Sequence, residues 1–249
     1  MDFDLIAKSL PKLLEGAWLT VEITALSVAL GLALAVPLAL GRLSRNPLIQ
    51  APVYAFVFFF RGTPLLVQLF LIYYGSGQFV AELRTVGLWG LFREAYFCGV
   101  LTLTLNTAAY TAEILRGAIQ AVPRGEVEAA RACGMRGPLL YRRIVIPKAF
   151  RIAFPAYTNE VIFLLQATSL VSIITLMDLT GVASTIAARS FAFYEFYLIA
   201  AALYLVLVYG LMFVFRRIEY RLSGHLRAAA PDASLSRDLV AAEPGKSTG

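Results

Sequence analysis

Residues 23–41 read ITALSVALGLALAVPLALG and contain no charged side chain. As a helix this stretch is about 28 Å long, which matches the hydrocarbon core of a bilayer. The whole chain has a similar character, since 59% of its 249 residues are hydrophobic and only 15% are charged. Soluble domains average about a quarter charged residues. The sequence therefore predicts a protein whose surroundings are lipid.

Four further apolar runs follow along the chain, and each is long enough to cross a bilayer as a helix. Only helices and closed barrels satisfy their backbone hydrogen bonds in lipid, and barrel strands are only about ten residues long. The sequence therefore predicts an all-α membrane protein with about five transmembrane helices. The further spans are predicted at residues 53–74, with an internal break at Arg61-Gly62-Thr63-Pro64, and at residues 95–112, 152–177 and 196–215.

The two ends of the chain differ from its apolar middle. Residues 1–16 carry charged side chains without an apolar core, so we expect a short outer lead-in and no cleavable signal peptide. Residues 221–249 are rich in Ala, Pro and Ser, and we expect a disordered cytoplasmic tail. The tail contains Gly245-Lys246-Ser247-Thr248, but Val240 stands where a P-loop requires glycine, so we do not expect the tail to bind ATP. The single histidine, His225, has no second ligand nearby, and no metal site is expected.

Positive charges are distributed unevenly among the predicted connections. If the N-terminus is outside, the inner segments hold Arg42, Arg45, the basic residues of 116–151 and those from 216 onward. Lys and Arg accumulate on the cytoplasmic side of membrane proteins, so we expect an outer N-terminus and a cytoplasmic C-terminus. The same asymmetry explains the net charge of +6, and no nucleic-acid partner is inferred from it. The outer segments hold Lys8, Lys12, Arg84, Arg93 and Arg189.

The predicted cytoplasmic loop at residues 123–150 alternates helix-forming and helix-breaking residues. Residues 126–133 should form a helix, and Gly134 should end it in the left-handed conformation. Pro138 suits the start of a second helix, and Pro147 either ends that helix or begins the next element. The residues alone leave open whether this is a rigid docking element or an amphipathic segment lying on the lipid surface.

This loop resembles the EAA loop of binding-protein-dependent ABC importers: Glu-Ala-Ala, three residues, Gly, nine residues and Ile-x-Leu-Pro. The chain has Glu128-Ala129-Ala130, Gly134 and Ile144-Val145-Ile146-Pro147 at these spacings, with Ile146 in place of Leu. Over residues 15–220 the chain is also similar to polar amino acid permeases, above all to membrane subunits of histidine/lysine/arginine/ornithine and opine importers. The motifs are Arg61-Gly62-Thr63-Pro64-Leu65, Tyr110-x-x-Glu113-x-x-Arg116-Gly117, Asn159-Glu160 and Thr168-Ser169-Leu170, with Gln166-Ala167 where many relatives have Lys-Asp.

The resemblance implies a type I ABC importer transmembrane domain over residues 17–220 and a place in the bacterial inner membrane. It implies a dimer of ABC ATPase subunits that bind ATP and Mg, a second identical or homologous permease subunit, and a periplasmic solute-binding protein. The chain itself would bind no cofactor. The loop would be the cytoplasmic coupling helix that contacts the ATPase, through Glu128, Ala129, Ala130, Gly134, Ile144 and Pro147.

Ionisable groups inside a span are costly, so they are candidates for the substrate pathway. Glu160 could pair with a cationic substrate or with a neighbouring helix, for example through Arg61. Arg61 itself could bind carbonyls freed at the helix break or a nearby carboxylate, and Glu113 with Arg116 could satisfy each other. Thr107 belongs to a polar stripe that either lines a pore or packs between helices. The candidate substrate residues are Glu160, Asn159, Gln166, Ser169, Tyr110, Asn106 and Arg61.

The predicted function is ATP-driven import of polar, cationic amino acids or opines. One alternative is a secondary transporter driven by an ion gradient, although such proteins usually show two related halves. Another alternative is a membrane scaffold or sensor, which would not need a carboxylate inside a span. The sequence contains no nucleophile–base arrangement, so we expect no enzymatic activity.

Overall fold

The computed structural model describes residues 3–222, and within them the chain is helical without any strand. This confirms the predicted all-α fold. The first half consists of α1 (Phe3–Leu43), α2 (Pro47–Gly62), α3 (Leu65–Tyr73), α4 (Val80–Thr85), α5 (Trp89–Phe92) and α6 (Ala95–Gln120). The second half consists of α7 (Arg124–Ala132), α8 (Gly137–Leu140), α9 (Ile146–Ala167), α10 (Leu179–Ser190) and α11 (Phe193–Leu222).

Three helical stretches of the described chain are long and apolar enough to cross a membrane, at residues 4–43, 137–174 and 193–221. The α2–α3 pair is a fourth candidate, bent by 108° at the break between its helices. Pro64 has no backbone N–H to donate and forces Thr63 into an extended conformation, which ends α2. The predicted break within the second span is therefore confirmed.

The third predicted span, at residues 95–112, falls within α6, which lies at the centre of the structure with half of its 26 residues buried. It is less apolar than the other spans because its neighbours cover it, and it packs mainly on α1, with α9 beside it. Gly31 allows α1 to approach α6 closely, because a Cβ atom at this position would lie only 2.4 Å from Thr107 Cγ2 on α6. Small residues at such contacts are typical of helix packing in membranes.

The fourth predicted span begins earlier than expected. We predicted residues 152–177, but α9 begins at Ile146 and continues backward through a π-helical turn, Tyr141–Val145, into α8. Pro147 thus begins an element. The π turn lies just before this proline. In a regular α-helix the ring of Pro147 would clash with the carbonyl of the residue four positions earlier, and the π turn changes the backbone at that place. After Ala167 the chain tightens into 3₁₀ geometry, Thr168–Ile174, which Thr175 ends with a φ of +72°.

Two further segments differ from the prediction. From Phe3 onward the expected polar lead-in is the start of α1, and Leu13 within it is fully buried. The predicted outer segment around Arg189 contains α10, which is buried between α1 and α11 because its small side chains allow close packing. The fully buried residues of this cluster are Leu13, Leu179, Ala183, Ala187 and Phe196. The predictions for His225, Val240 and Gly245-Lys246-Ser247-Thr248 fall in the tail, outside the described residues.

We expect Gly181→Ala to lower the free energy of unfolding by about 1–3 kcal/mol, because an added methyl group overpacks the start of α10. A Cβ at this position would lie 2.3 Å from the Leu176 carbonyl oxygen. Gly210→Ala is the control, since no atom lies within 4 Å of its Cβ position. Thermal unfolding in detergent measures both variants, and equal melting temperatures would contradict the close packing of α10.

Candidate functional site

The break between α2 and α3 is held by two buried amides. The Gln68 amide nitrogen donates to the carbonyls of Phe60 (2.8 Å) and Thr63 (3.0 Å) and to the Thr63 hydroxyl (2.8 Å). Gln68 is only 1% exposed, and its own amide oxygen accepts from Asn106 at 3.0 Å. Asn106 also donates to the Phe60 carbonyl at 3.3 Å. These side chains satisfy the carbonyls that the broken helix leaves free.

A second cluster gathers around the Glu113 carboxylate on α6. Arg42 from the end of α1 donates to it at 2.8 Å, and Arg116 donates at 2.9 Å from one turn along α6. The predicted Glu113–Arg116 pair is thus confirmed. The contribution of Arg42 was missed because it lies 71 positions away in the sequence. The cluster ties α1 to the C-terminal half of α6.

Arg61 lies between this cluster and the middle of the membrane domain. Its guanidinium is 3.9 Å from Glu113 Oε2 and 5.2 Å from the centre of the Tyr110 ring. The Tyr110 hydroxyl donates to the Arg61 backbone carbonyl at 3.4 Å. The freed carbonyls at the break are capped by Gln68 and Asn106, so of our two predictions for Arg61 the neighbouring carboxylate is the correct one.

Glu160 lines a pocket of about 250 Å³ between α6 and α9. Thr107 and Arg61 are the polar residues in its surroundings, and the ion pair that Arg61 forms is with Glu113. Because α9 begins at Ile146 and not at the predicted residue 152, Glu160 lies about four turns into its helix. The other pocket residues are Asn106, Tyr110, Phe163, Leu164 and Ala167.

The remaining predicted substrate residues lie elsewhere. Gln166 and Ser169 line a different cavity, of about 300 Å³, between α9, α10 and α11. Asn159 is exposed and lines neither pocket. The pocket residues of α9 recur from Glu160 at steps of three, four and seven, which share one helical face. Gln166 and Asn159 therefore belong to another face of the same helix.

Asp178 is a buried acidic residue that our sequence analysis did not select. Its carboxylate accepts from the backbone N–H groups of Gly181 (2.9 Å) and Thr180 (3.3 Å) and from the Tyr204 hydroxyl (3.2 Å). Burial raises the pKa of Asp178 above its ordinary value, against the opposing effect of these hydrogen bonds. An aspartate directly before a helix is a common N-cap, so its position before α10 was the available signal. Its role here is to start α10.

The loop that carries the EAA pattern is compact. Gly134 has a φ of +83°, as predicted, and its N–H donates to the Arg131 carbonyl at 2.9 Å. The Met135 N–H donates to the Ala130 carbonyl at 3.0 Å, which closes the end of α7. A second glycine of the loop with positive φ, Gly137 at +53°, is the first residue of α8.

One side of this loop packs against the ends of α6 and α9, and the other side is exposed. Lys148 and Glu126 form an ion pair between α9 and α7. Ile144 is half-buried, and the buried members of the loop cluster are Ala118, Val122, Ala130, Leu140, Val145, Ala149 and Ala153. The exposed residues include Glu128, Ala129, Arg131, Gly134 and Pro147. The loop therefore presents small and basic groups on a firm base.

No group of three or more His, Cys, Asp or Glu residues within 3–222 could hold a metal ion. The described chain is instead a multi-span membrane protein with a charged pocket between its helices and a folded loop at one end. The family model of binding-protein-dependent transport system inner membrane components matches residues 27–224. The chain belongs to this family.

The chain is similar in sequence to known members of the family along most of their lengths. It is 47% identical over 228 residues to the nopaline transport system permease protein of Agrobacterium fabrum, covering 92% of this chain and 95% of that protein. It is 46% identical over 217 residues to the histidine/lysine/arginine/ornithine transport system permease protein of Escherichia coli strain K12, covering 86% and 90%. The predicted family resemblance is thereby confirmed.

Solved structures show the same fold. The crystal structure of an amino acid ABC transporter with histidines matches with a TM-score of 0.80 and 36% identity, covering 89% of this chain and 99% of that chain. An inward-facing methionine ABC transporter matches with a TM-score of 0.67 at 21% identity, which supports the fold alone. The predicted importer transmembrane domain is therefore confirmed.

The chain is thus a multi-pass inner-membrane permease subunit of a binding-protein-dependent ABC importer, and not an enzyme. Proteins of this family work with separate ATPase subunits and a soluble binding protein. None of these relatives supports the alternative of a transporter driven by an ion gradient.

We expect Gln68→Leu to lower the free energy of unfolding by about 2–4 kcal/mol, because it leaves buried carbonyls and the Asn106 amide without partners. Gln78→Leu is the control, since Gln78 is exposed in the turn after α3 and should change stability by less than about 0.5 kcal/mol. Thermal unfolding in detergent measures both. A Gln68→Leu protein as stable as the control would contradict the amide cluster as the support of the break.

Proposed function

We propose that this subunit forms part of the translocation pathway for cationic amino acids or arginine-derived opines, with Glu160 as the residue that meets the substrate's positive group. The observation that carries the proposal is a carboxylate in an otherwise largely apolar pocket between two spans. Intramembrane carboxylates are retained at a cost and usually mark a substrate or ion path.

The relatives support this substrate class. Histidine, lysine, arginine and ornithine are named for one relative and nopaline for another. These amino acids carry basic side chains, and nopaline is an arginine derivative. Asn106 and the Tyr110 hydroxyl add neutral polar groups to the pocket wall, suited to the other end of an amino acid.

The orientation that we propose places the N-terminus outside and the EAA loop in the cytoplasm. The Arg42–Glu113 bond joins the C-terminal end of α1 to the C-terminal half of α6, and Phe154 near the start of α9 packs on Phe215 near the end of α11. Four helix ends therefore lie on one side, together with the basic loop. That concentration of arginine favours the cytoplasmic side.

A second permease subunit, a copy of this chain or a homologue, is proposed to cover the open side of α9. Asn159 is exposed at mid-helix, and Phe163 beside the pocket is 66% exposed. Lipid would be an unfavourable neighbour for this polar group and for the pocket mouth, whereas another subunit could enclose both.

We further propose that the exposed side of the loop docks on a partner ATPase subunit that binds ATP and Mg. Ala129 and Gly134 leave room for close backbone approach, and the buried side of the loop gives it support. The binding protein docks on the opposite, outer side. Of the predicted coupling residues, Glu128, Ala129, Gly134 and Pro147 lie on this exposed side. Ala130 is buried and Ile144 is half-buried, so these two support the loop from below and do not face the ATPase directly.

We expect Glu160→Gln to reduce uptake of L-arginine by about tenfold or more, because the pocket loses its only carboxylate. The measurement is uptake of radiolabelled L-arginine by proteoliposomes that contain the complete transporter, in an assay to which the soluble binding protein is added. Glu219→Gln removes one exposed negative charge from the end of α11 and serves as the control. Unchanged L-arginine uptake by Glu160→Gln would remove Glu160 from the substrate path.

We expect Gly134→Pro to abolish transport while the protein still inserts, because proline cannot adopt a φ of +83° and lacks the N–H that Gly134 donates. Co-purification of the ATPase subunits and uptake by the reconstituted complex are the measurements.

Gly87→Pro is the matched control for this variant, since Gly87 has a φ of +73° in the connection between α4 and α5. It should retain the ATPase subunits, whereas Gly134→Pro should lose them or retain them without transport. Normal uptake by Gly134→Pro would refute the coupling role of the loop.

A further inference from the structure

An apolar groove of about 440 Å³ runs between α1 and α9, with α6 at its base. We call it the α1–α9 groove, and it is lined from within residues 32–40, 115–119 and 146–157. Its small residues Ala39, Ala149 and Ala153 are at most 6% exposed, whereas Leu40 and Phe150 on its edges are 58% and 49% exposed. Small buried residues between larger exposed ones leave a channel that no part of residues 3–222 fills.

The α1–α9 groove and the Glu160 pocket lie on different sides of α6. Ile119 lines the groove, and Tyr110, nine residues earlier on the same helix, lines the Glu160 pocket. At about 100° per residue, nine residues place these two side chains roughly 180° apart around α6. A second permease subunit that covers the Glu160 pocket therefore leaves the α1–α9 groove facing the bilayer.

The length of the α1–α9 groove matches one leaflet of a bilayer. Its lining residues on α9 extend from Ile146 to Tyr157, which is about 17 Å along the helix axis. The hydrocarbon of one leaflet is about 15 Å thick, half of the full core. Tyr157 is the only lining residue with a polar atom in its side chain. A single acyl chain fits these dimensions, whereas a transmembrane helix of a partner would continue across both leaflets.

Unpaired positive charges lie beside the end of the α1–α9 groove that is nearer the EAA loop. Arg142 and Arg143 are exposed and come one helical turn before Ile146, in the π turn. Arg45 is exposed in the turn between α1 and α2, five residues after Leu40. None of these three arginines forms an ion pair with a carboxylate of residues 3–222.

An apolar channel next to free guanidinium groups is complementary to an amphiphile with a negatively charged head. Guanidinium groups bind phosphate through two parallel hydrogen bonds, and basic sites between transmembrane helices are suited to anionic lipid headgroups. A zwitterionic phospholipid offers the same acyl chain but no net charge to the arginines. The charge complementarity therefore selects among membrane lipids.

We propose that the α1–α9 groove binds an anionic phospholipid, with one acyl chain between α1 and α9 and the headgroup phosphate at Arg142 and Arg143. The lipid belongs to the leaflet on the side of the EAA loop. Because α9 is continuous with the loop through the π turn, the bound lipid braces the loop against α1. The site is independent of the transported substrate, since no residue of the Glu160 pocket takes part.

The test uses photoactivatable lipids in phosphatidylcholine nanodiscs that hold the complete transporter. Phosphatidylglycerol or phosphatidylcholine, each with a diazirine in the middle of one acyl chain, is added at the same low fraction, and mass spectrometry locates the labelled peptides. Peptides with residues 32–40 and 146–157 should carry about fivefold more label from phosphatidylglycerol, the factor expected for one arginine near an anionic lipid. Residues 205–214 of α11, whose apolar side chains are also exposed, should take both lipids equally.

Charge variants test the headgroup contact. Arg142→Gln combined with Arg143→Gln should lower the groove label from phosphatidylglycerol to the level of phosphatidylcholine. Arg84→Gln combined with Arg189→Gln removes the same charge from exposed positions at the opposite end of the molecule and should keep the preference. Thermal unfolding and co-purification of the ATPase subunits show that each complex is intact.

A filled groove tests the acyl-chain contact. Val36 lies on the edge of the α1–α9 groove and is 48% exposed, so Val36→Trp should occupy the channel and remove most of the groove label from both lipids. Val206→Trp is the control, because Val206 is 67% exposed on α11 and lines no part of the groove.

Three results would overturn the proposal. The first is equal labelling of the groove by the two lipids in the wild type, and the second is a phosphatidylglycerol preference that survives the loss of Arg142 and Arg143. The third is full groove label in an intact Val36→Trp complex. If residues 205–214 are labelled while the groove peptides take no label, protein covers the groove and the lipid site is wrong.

Discussion

The buried amide of Gln68 is the contact on which the arrangement of the pocket depends. A chain that bends by 108° within a membrane domain exposes carbonyl groups that lipid cannot satisfy. Gln68 and Asn106 bond those carbonyls and one another, so the bend is joined to α6. Asn106 is also part of the pocket wall, and Arg61 stands directly before the bend. The side chains of Gln68 and Asn106 thus support the bend and also help to fix the backbone position of Arg61.

Much of the fold could be predicted because apolar length is nearly sufficient to recognise a membrane span. The break at Pro64 and the left-handed Gly134 could be predicted because proline and glycine restrict the backbone in known ways. The continuity of the loop with α9 could not be predicted. A proline such as Pro147 often marks the end of a helix, and the π turn that precedes it has no sequence signature. The burial of α10 was also hidden, because small side chains suit a surface as well as a tight contact.

The candidate site was predicted in part. Asn106, Tyr110, Arg61 and Glu160 do come together, because unusual polarity within apolar runs marks each of them. Asn159, Gln166 and Ser169 were selected by polarity as well, but Asn159 and Gln166 lie on another face of α9, and Ser169 lies in the 3₁₀ turn that follows it. Which face of a helix meets a neighbour depends on tertiary packing, and adjacent residues on one helix point in different directions. The Arg42–Glu113 ion pair could not be predicted from local sequence patterns either, because it depends on how two helices pack.

The close contact between Gly31 and Thr107 has a consequence for the chemistry of the pocket. The Thr107 methyl group fills the space where a larger residue at Gly31 would place its first carbon, and the hydroxyl of the same side chain lies beside Glu160. Any larger residue at Gly31 would therefore push against this threonine, and with it against the helix that carries one wall of the pocket.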